Sequence, residues 1–242
     1  MSNDLIGLKK RIHAGEKIYG VGMPVNIQRD RFDAILDKGP YDFVNVDSQH
    51  SPFNEERLVE FCAMAEERDV FVQFRIKHTR HAYLIGNNLD LGPCGIEVPQ
   101  TELESTAEEA VQAFYYPPEG GRSLGGAARR GAKERQDWFE YIEWWNRFGV
   151  LWLQIESIES ATHVRQLAKQ GVDCFSFGPA DLSINMRSHP RHPFKSLNDC
   201  VSYVVRALEG TTVAVCFRNY NPDQREKYAD MGVRVFLETP QV

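Results

Sequence analysis

Residues 151–183 read LWLQIESIESATHVRQLAKQGVDCFSFGPADLS, and the fold turns on how this stretch is parsed. It holds two short apolar runs, Val150–Ile155 and Asp173–Phe177. A helical pattern from Glu159 to Gln170 lies between them and is closed by Gly171. That is a strand–helix–strand unit. Each strand leads into a carboxylate: Glu156 directly, Asp181 after the turn Gly178-Pro179-Ala180. In parallel α/β folds the chemistry collects where strands exit. Two carboxylates there suit a hard divalent cation such as Mg²⁺, Mn²⁺ or Co²⁺. An equally weighted reading makes Glu156 a helix cap and Asp181 a turn cap.

Outward from this unit the same alternation repeats. Strand-like runs are expected at Tyr19–Val25, Phe43–Val46, Val70–Ile76, Cys94–Val98, Thr212–Cys216 and Val233–Leu237. Helical patterns are expected at Leu5–His13, Arg31–Asp37, Thr79–Leu89, Glu104–Phe114, Phe194–Leu208 and Pro222–Asp230. Another starts at Asn54 as N-cap and runs to Arg68. Eight strands separated by helices mean parallel pairing with crossovers, and eight such units predict a (β/α)8 TIM barrel. Only five residues follow Leu237, so no eighth crossover helix is expected. Residues 1–242 read as one domain.

The chain has 242 residues, 42% of them hydrophobic and 26% charged, which suits a globular protein with a large core. A formal net charge of −6 argues against nucleic acid or an anionic membrane as the main partner. Five cysteines without close spacing read as small core residues in a reducing compartment. No secretion signal or membrane span is read, so a cytoplasmic location is expected.

Residues 117–149 form an insertion with two halves. The first carries Arg122, Arg129, Arg130, Lys133 and Arg135 and reads as a solvated loop or, less favoured, an anion-gathering lid. The second places Trp138, Tyr141, Ile142 and Trp145 on one helical face, a pattern for core or a subunit interface.

Three further residue groups are candidates for chemistry. His50 follows Asp47 by three residues at the second strand's exit. An Asp that accepts from a His fixes its tautomer, making the pair a candidate general base; an ordinary loop histidine is the competing reading. Arg75 interrupts an apolar strand, so it either pairs structurally or points into a site where it stabilises an oxyanion. Gln154 shares a strand face with Glu156, and the Gly178-Pro179-Ala180 backbone is a candidate anion nest.

The segments VNVDSQHSP (44–52), QFRI (73–76), GIEVPQ (95–100), YYPPEGGRSLGG (115–126), LQIES (153–157) and FGPADLS (177–183) occur in the order and approximate spacing of the HpcH/HpaI family. The chain resembles these class II, metal-dependent pyruvate aldolases, of the hydroxy-oxo-heptanedioate aldolase type, from about residue 5 to 240. The resemblance implies a (β/α)8 barrel that makes or cleaves 4-hydroxy-2-oxo acids from a pyruvate enolate and an aldehyde. It implies Glu156 and Asp181 as metal ligands, with Gln154 and the backbone at Gly178 and Ala180 holding the pyruvate carboxylate. Arg75 would lie against the keto oxygen, and His50, oriented by Asp47, would move protons. It also implies a homo-oligomer, a hexamer in the family, assembled with the eighth helix that this chain lacks. Three positions depart from the pattern: Ser48-Gln49 replaces Gly-Glu, Gln100-Thr101-Glu102 replaces apolar residues, and Glu97 stands in a normally apolar strand. Two alternatives stay open: a decarboxylating oxaloacetate enzyme of the macrophomate synthase type, and a barrel with a binding or assembly role only.

Overall fold

A computed structural model describes residues 5–241. Its eight strands are β1 (Ile18–Gly22), β2 (Phe43–Asp47), β3 (Phe71–Arg75), β4 (Gly95–Val98), β5 (Val150–Ile155), β6 (Cys174–Phe177), β7 (Ala214–Tyr220) and β8 (Val235–Glu238). All neighbours are parallel, and β8 pairs with β1, so the sheet closes into the expected barrel. No helix follows β8 among the described residues.

Both sheet faces are buried, which is why these strands read as continuous apolar runs. Side chains such as Val44, Phe74, Ile96 and Leu153 face the surrounding helices. The alternate positions fill the lumen. At its N-terminal end sit Phe43, Phe71, Trp152, Cys174 and Val235. Phe43 fits only because β1 offers Gly20; a Cβ there would lie 2.1 Å from the Phe43 ring. Toward the other end the lumen turns polar: Asn45, Gln73, Arg75, Glu97, Gln154 and Ser176 are all buried. All five cysteines are buried and unbridged, as expected of core residues.

The outer helices are α1 (Gly7–His13), α2 (Arg29–Leu36), α3 (Glu55–Glu67), α4 (Ile85–Leu89, after a 3₁₀ turn at Thr79–Leu84), α5 (Glu104–Phe114) and α6 (Trp138–Phe148). Asn54 caps α3 by accepting from the Arg57 N–H at 3.0 Å, as its position predicts. Between β5 and β6 the single expected helix is two short ones, α7 (Ile158–Thr162) and α8 (Val164–Leu167), hinged at His163. Ser157 and Ser160 form a reciprocal capping box that starts α7 at the strand's exit.

After β6 comes α9 (Pro179–Ser188), where the sequence suggested only a turn. Pro179 occupies its first turn, where the missing N–H costs nothing. The helix escapes a periodicity reading because Leu182 is its one fully buried residue. α10 (Leu197–Ala207) and α11 (Arg225–Asp230) complete the ring. β7 also runs four residues past its expected end at Cys216, carrying Arg218 and Tyr220 to the mouth of the barrel.

In the basic half of the insertion the four arginines are packed rather than solvated, whereas Lys133 is exposed as a solvated loop would have it. Arg122 is buried against the Tyr116 and Trp145 rings, 4.7 Å from each centroid, and donates to Asp90 at 2.8 Å. Arg129 lies 4.5 Å over Tyr141, and Arg135 lies 3.9 Å over Trp144. Arg130 reaches Asp69, which precedes β3. Guanidiniums are weakly hydrated and stack well on aromatic faces, so this loop fastens α6 to the barrel. Tyr141 and Trp145 enter the core, whereas Trp138 and Phe139 stay exposed.

Candidate active site

The barrel's C-terminal mouth brings together Asp47 from β2, Arg75 from β3, Gln154 and Glu156 from β5, and Gly178, Ala180 and Asp181 from the start of α9. Arg75 links two of these strands. Its Nε and Nη2 donate to the two Asp47 oxygens at 2.9 and 2.5 Å, a bidentate pair. Its Nη1 donates to Gln154 Oε1 at 3.1 Å. That contact fixes the amide of Gln154, so Nε2 is left as a buried donor without a partner.

Nε2 faces Gly178. A Cβ built on Gly178 would lie 2.4 Å from Glu156 Oε1, 2.7 Å from Glu156 Cγ and 3.0 Å from Gln154 Nε2. Only glycine leaves this cradle open. The Gly178 N–H is already bound to the Ile155 carbonyl at 2.9 Å, so the backbone donor left for a ligand is the Ala180 N–H in the first turn of α9. A Gly178→Ala variant is therefore expected to lose about 100-fold or more in turnover. Thermal melting should show a smaller cost, about 1–3 kcal/mol from overpacking. Steady-state kinetics beside the melt checks both.

Glu156 is buried, and burial pushes its carboxyl up to about 7, with the charges of Glu97 and Asp181 adding to the rise. The Gln100 N–H, 2.9 Å from Oε2, and the charge of Arg75 pull the other way. Gln100 makes that bond from a left-handed conformation, φ 48°. This residue, which departs from the family pattern, is thus held by the site.

Asp47 shows the opposite balance. Burial alone would raise its carboxyl, but Arg75, the Gln49 N–H and the charge of Arg218 hold it below the usual carboxylate value. Asp47 is therefore Arg75's partner, and no hydrogen bond joins it to His50, which is exposed at the same strand exit. The expected Asp47–His50 orientation is replaced by Asp47–Arg75, because a bidentate guanidinium is the stronger claimant for a half-buried carboxylate. Gln49 leaves a buried carbonyl oxygen unpaired beside it.

Glu97 is buried without exposure and accepts from Arg218 Nη2 at 2.6 Å and from the Ser176 hydroxyl. Sequence reasoning marked Glu97 as out of place but did not find Arg218. An acid in an apolar strand was the available signal that a distant cation must meet it.

Among the described residues no group of three or more His, Cys, Asp or Glu is arranged to hold a metal. Glu156 and Asp181 stand at successive strand exits and carry hard oxygen atoms of the kind a divalent cation takes, and the charge of Asp181 bears on Glu156.

The sequence pattern of the HpcH/HpaI aldolase/citrate lyase family matches residues 29–234. The chain belongs to this family. A hydroxypyruvate/pyruvate aldolase from Delftia acidovorans is 29% identical over 231 residues, covering 93% of this chain and 83% of the relative. A 4-hydroxy-2-oxo-heptane-1,7-dioate aldolase from Shigella boydii is 28% identical over 178 residues, 72% of this chain and 66% of the relative. The crystal structure of an HpcH/HpaI aldolase from Desulfitobacterium hafniense superposes with a TM-score of 0.83 at 25% identity, covering 96% of this chain and 89% of the other. Family membership makes the chain a carbon–carbon lyase of the aldolase type. No helix among the described residues is long and apolar enough to cross a membrane.

Proposed function

We propose that the protein joins a pyruvate enolate to an aldehyde, and cleaves the resulting 4-hydroxy-2-oxo acid in reverse, with a divalent cation at Glu156 and Asp181. The observation that carries this reading is the open cradle at Gly178, where a buried carboxylate and an unpartnered amide donor face the same space. A 2-oxo acid matches it: its carboxylate takes Gln154 Nε2 and the Ala180 N–H.

The cation, Mg²⁺, Mn²⁺ or Co²⁺, would supply Lewis acidity for the keto group. Arg75, anchored on Asp47, presents positive charge to the developing enolate oxygen without needing to reorganise. His50, free of other partners and at the strand exit, takes the methyl proton directly or through water. The electron pair released from that C–H bond forms the new C–C bond at the aldehyde carbon. The aldehyde oxygen then takes a proton back from His50, so no net acid or base is consumed.

The test needs no knowledge of the aldehyde. Protein incubated with pyruvate in D₂O is expected to exchange the methyl protons, read by NMR, when Mn²⁺ or Mg²⁺ is present, and to stop on addition of chelator. Exchange unaffected by chelator would remove the metal from this proposal. No exchange, with oxaloacetate serving as enolate source instead, would favour the decarboxylating alternative.

A further inference from the structure

A separate hollow lies on the flank of the barrel, between α3 and the 117–149 insertion. It is a cavity of about 120 Å³, several times the space one water needs. It borders Gly92, just before β4, and Arg130, whose Nη1 reaches the Val70 carbonyl just before β3. Those turns lead into strands. The cavity therefore sits toward the barrel's N-terminal end, away from the mouth that holds Glu156 and Asp181. Ala63 and Lys133 border it and are exposed, which opens it to solvent.

Its walls divide by chemistry. One part is apolar: Val59, Cys62 and Ala63 from α3, with Ala127 and Ala128 from the insertion. The charged part comprises Glu66, Arg129, Arg130, Lys133 and Glu134. Both acids already have a cation. Glu66 pairs with Arg130 at 3.3 Å, and Glu134 with Arg135 at 3.5 Å. Arg130 has Asp69 as well. Arg129 and Lys133 form no ion pair among the described residues.

Water can serve the exposed Lys133 but not Arg129, which is 6% exposed. Arg129 Nε donates to the Gly126 carbonyl at 2.8 Å, and Nη1 donates to the Tyr116 hydroxyl at 3.3 Å. Nη2 has no acceptor among the described residues. The Tyr141 ring lies 4.5 Å from the guanidinium carbon and covers one face. Stacking offsets part of the desolvation, but a buried cation without a counter-charge remains costly. An anion in the adjoining cavity supplies that charge.

We infer that this cavity binds a short-chain monocarboxylate. Its carboxylate accepts from Arg129, with Lys133 at the opening, and its alkyl end lies against Val59, Cys62 and Ala63. One uncompensated buried cation matches one negative charge. The apolar wall selects a carboxylate over inorganic phosphate, because phosphate would turn charged oxygens toward a surface that offers them no donor. The site is remote from the donor cradle and does not depend on the pyruvate-enolate reading.

The experiment titrates the protein at constant ionic strength with formate, acetate and propionate, read by saturation-transfer NMR, and with phosphate, read by ³¹P line width. Propionate is expected to bind with a Kd of about 1–10 mM, in keeping with so small a ligand. Affinity should rise about three- to fourfold per carbon from formate to propionate, the effect of one buried CH₂. Phosphate should bind about tenfold more weakly than propionate, or worse. Arg129→Met should weaken propionate by about tenfold or more, the usual effect of losing one hydrogen bond to a charged group. Should that variant fail to fold, Ala63→Phe, at an exposed position on α3, fills the cavity and should weaken propionate to a similar degree. Propionate also resembles the proposed donor, so Gly178→Ala, which closes the donor cradle, is the control. It should leave the affinity within about twofold, as expected of a distant site. No binding by wild type, an affinity flat along the series, phosphate binding as tightly as propionate, binding that survives Arg129→Met or Ala63→Phe, or binding lost in Gly178→Ala would each overturn the inference.

Discussion

Glu156→Gln is expected to abolish turnover and, without added metal, to make the protein more stable above pH 7. Both follow from one buried carboxylate. Its folded-state value of about 7 lies above the ordinary 4.5. Below pH 4.5 the group is protonated in folded and unfolded chains alike and contributes nothing. Between 4.5 and 7 the unfolded chain releases the proton and the folded chain keeps it, so stability falls as pH rises. Above 7 the folded chain carries a buried charge, at a cost of about 3 kcal/mol in the metal-free protein. Glutamine removes that cost together with the proposed metal ligand. Urea unfolding from pH 4 to 8, with chelator, should show wild type and variant converging at low pH and separating by about 3 kcal/mol at pH 8. Added Mn²⁺ should stabilise wild type and leave the variant unmoved. Parallel curves with and without the substitution, or a variant that keeps its turnover, would remove Glu156 from the site.

Arg75→Met is expected to lower kcat by about 100- to 1000-fold, the range found when a preorganised oxyanion donor is lost. The KM for pyruvate should rise as well, because Gln154 Oε1 loses the donor that keeps Nε2 turned to the cradle. Lysine should rescue little, since one ammonium cannot span two Asp47 oxygens and an amide. Asp47 provides a second readout. Its folded-state carboxyl lies below the ordinary 3.8, so it adds stability that is present above 3.8 and lost as pH falls through the lower, folded-state value. Without Arg75 that acid-side loss should disappear. Turnover within threefold of wild type would make Arg75 a structural ion pair only.

Much of this was legible in the chain. The alternation of apolar runs with helical patterns prescribed eight parallel strands, because strand period and crossover length leave few other closures. The exits of β5 and β6 drew attention to Glu156, Asp181, Gln154 and Gly178 for the same reason: position relative to a strand end is a local property.

What the chain hid was partnership. Asp47 and His50 are three residues apart and invite pairing, but β2 and β3 align Asp47 with Arg75, and the guanidinium takes the carboxylate. Glu97 and Arg218 are 121 residues apart, on strands that do not neighbour each other, and they meet only because the barrel closes. Arg218-Asn219-Tyr220 lies beyond the expected end of its strand at Cys216; pairing with β8 carries the strand through it. The arginines of the insertion read as solvated charge until α6 supplies aromatic faces to cover them. The sequence by itself determined the barrel and the strand exits at which donors and acids stand, since those follow from periodicity. Tertiary structure decided which acid meets which cation and which donor is left free, since those depend on distances across a closed lumen where an unpaired charge is too costly to leave alone.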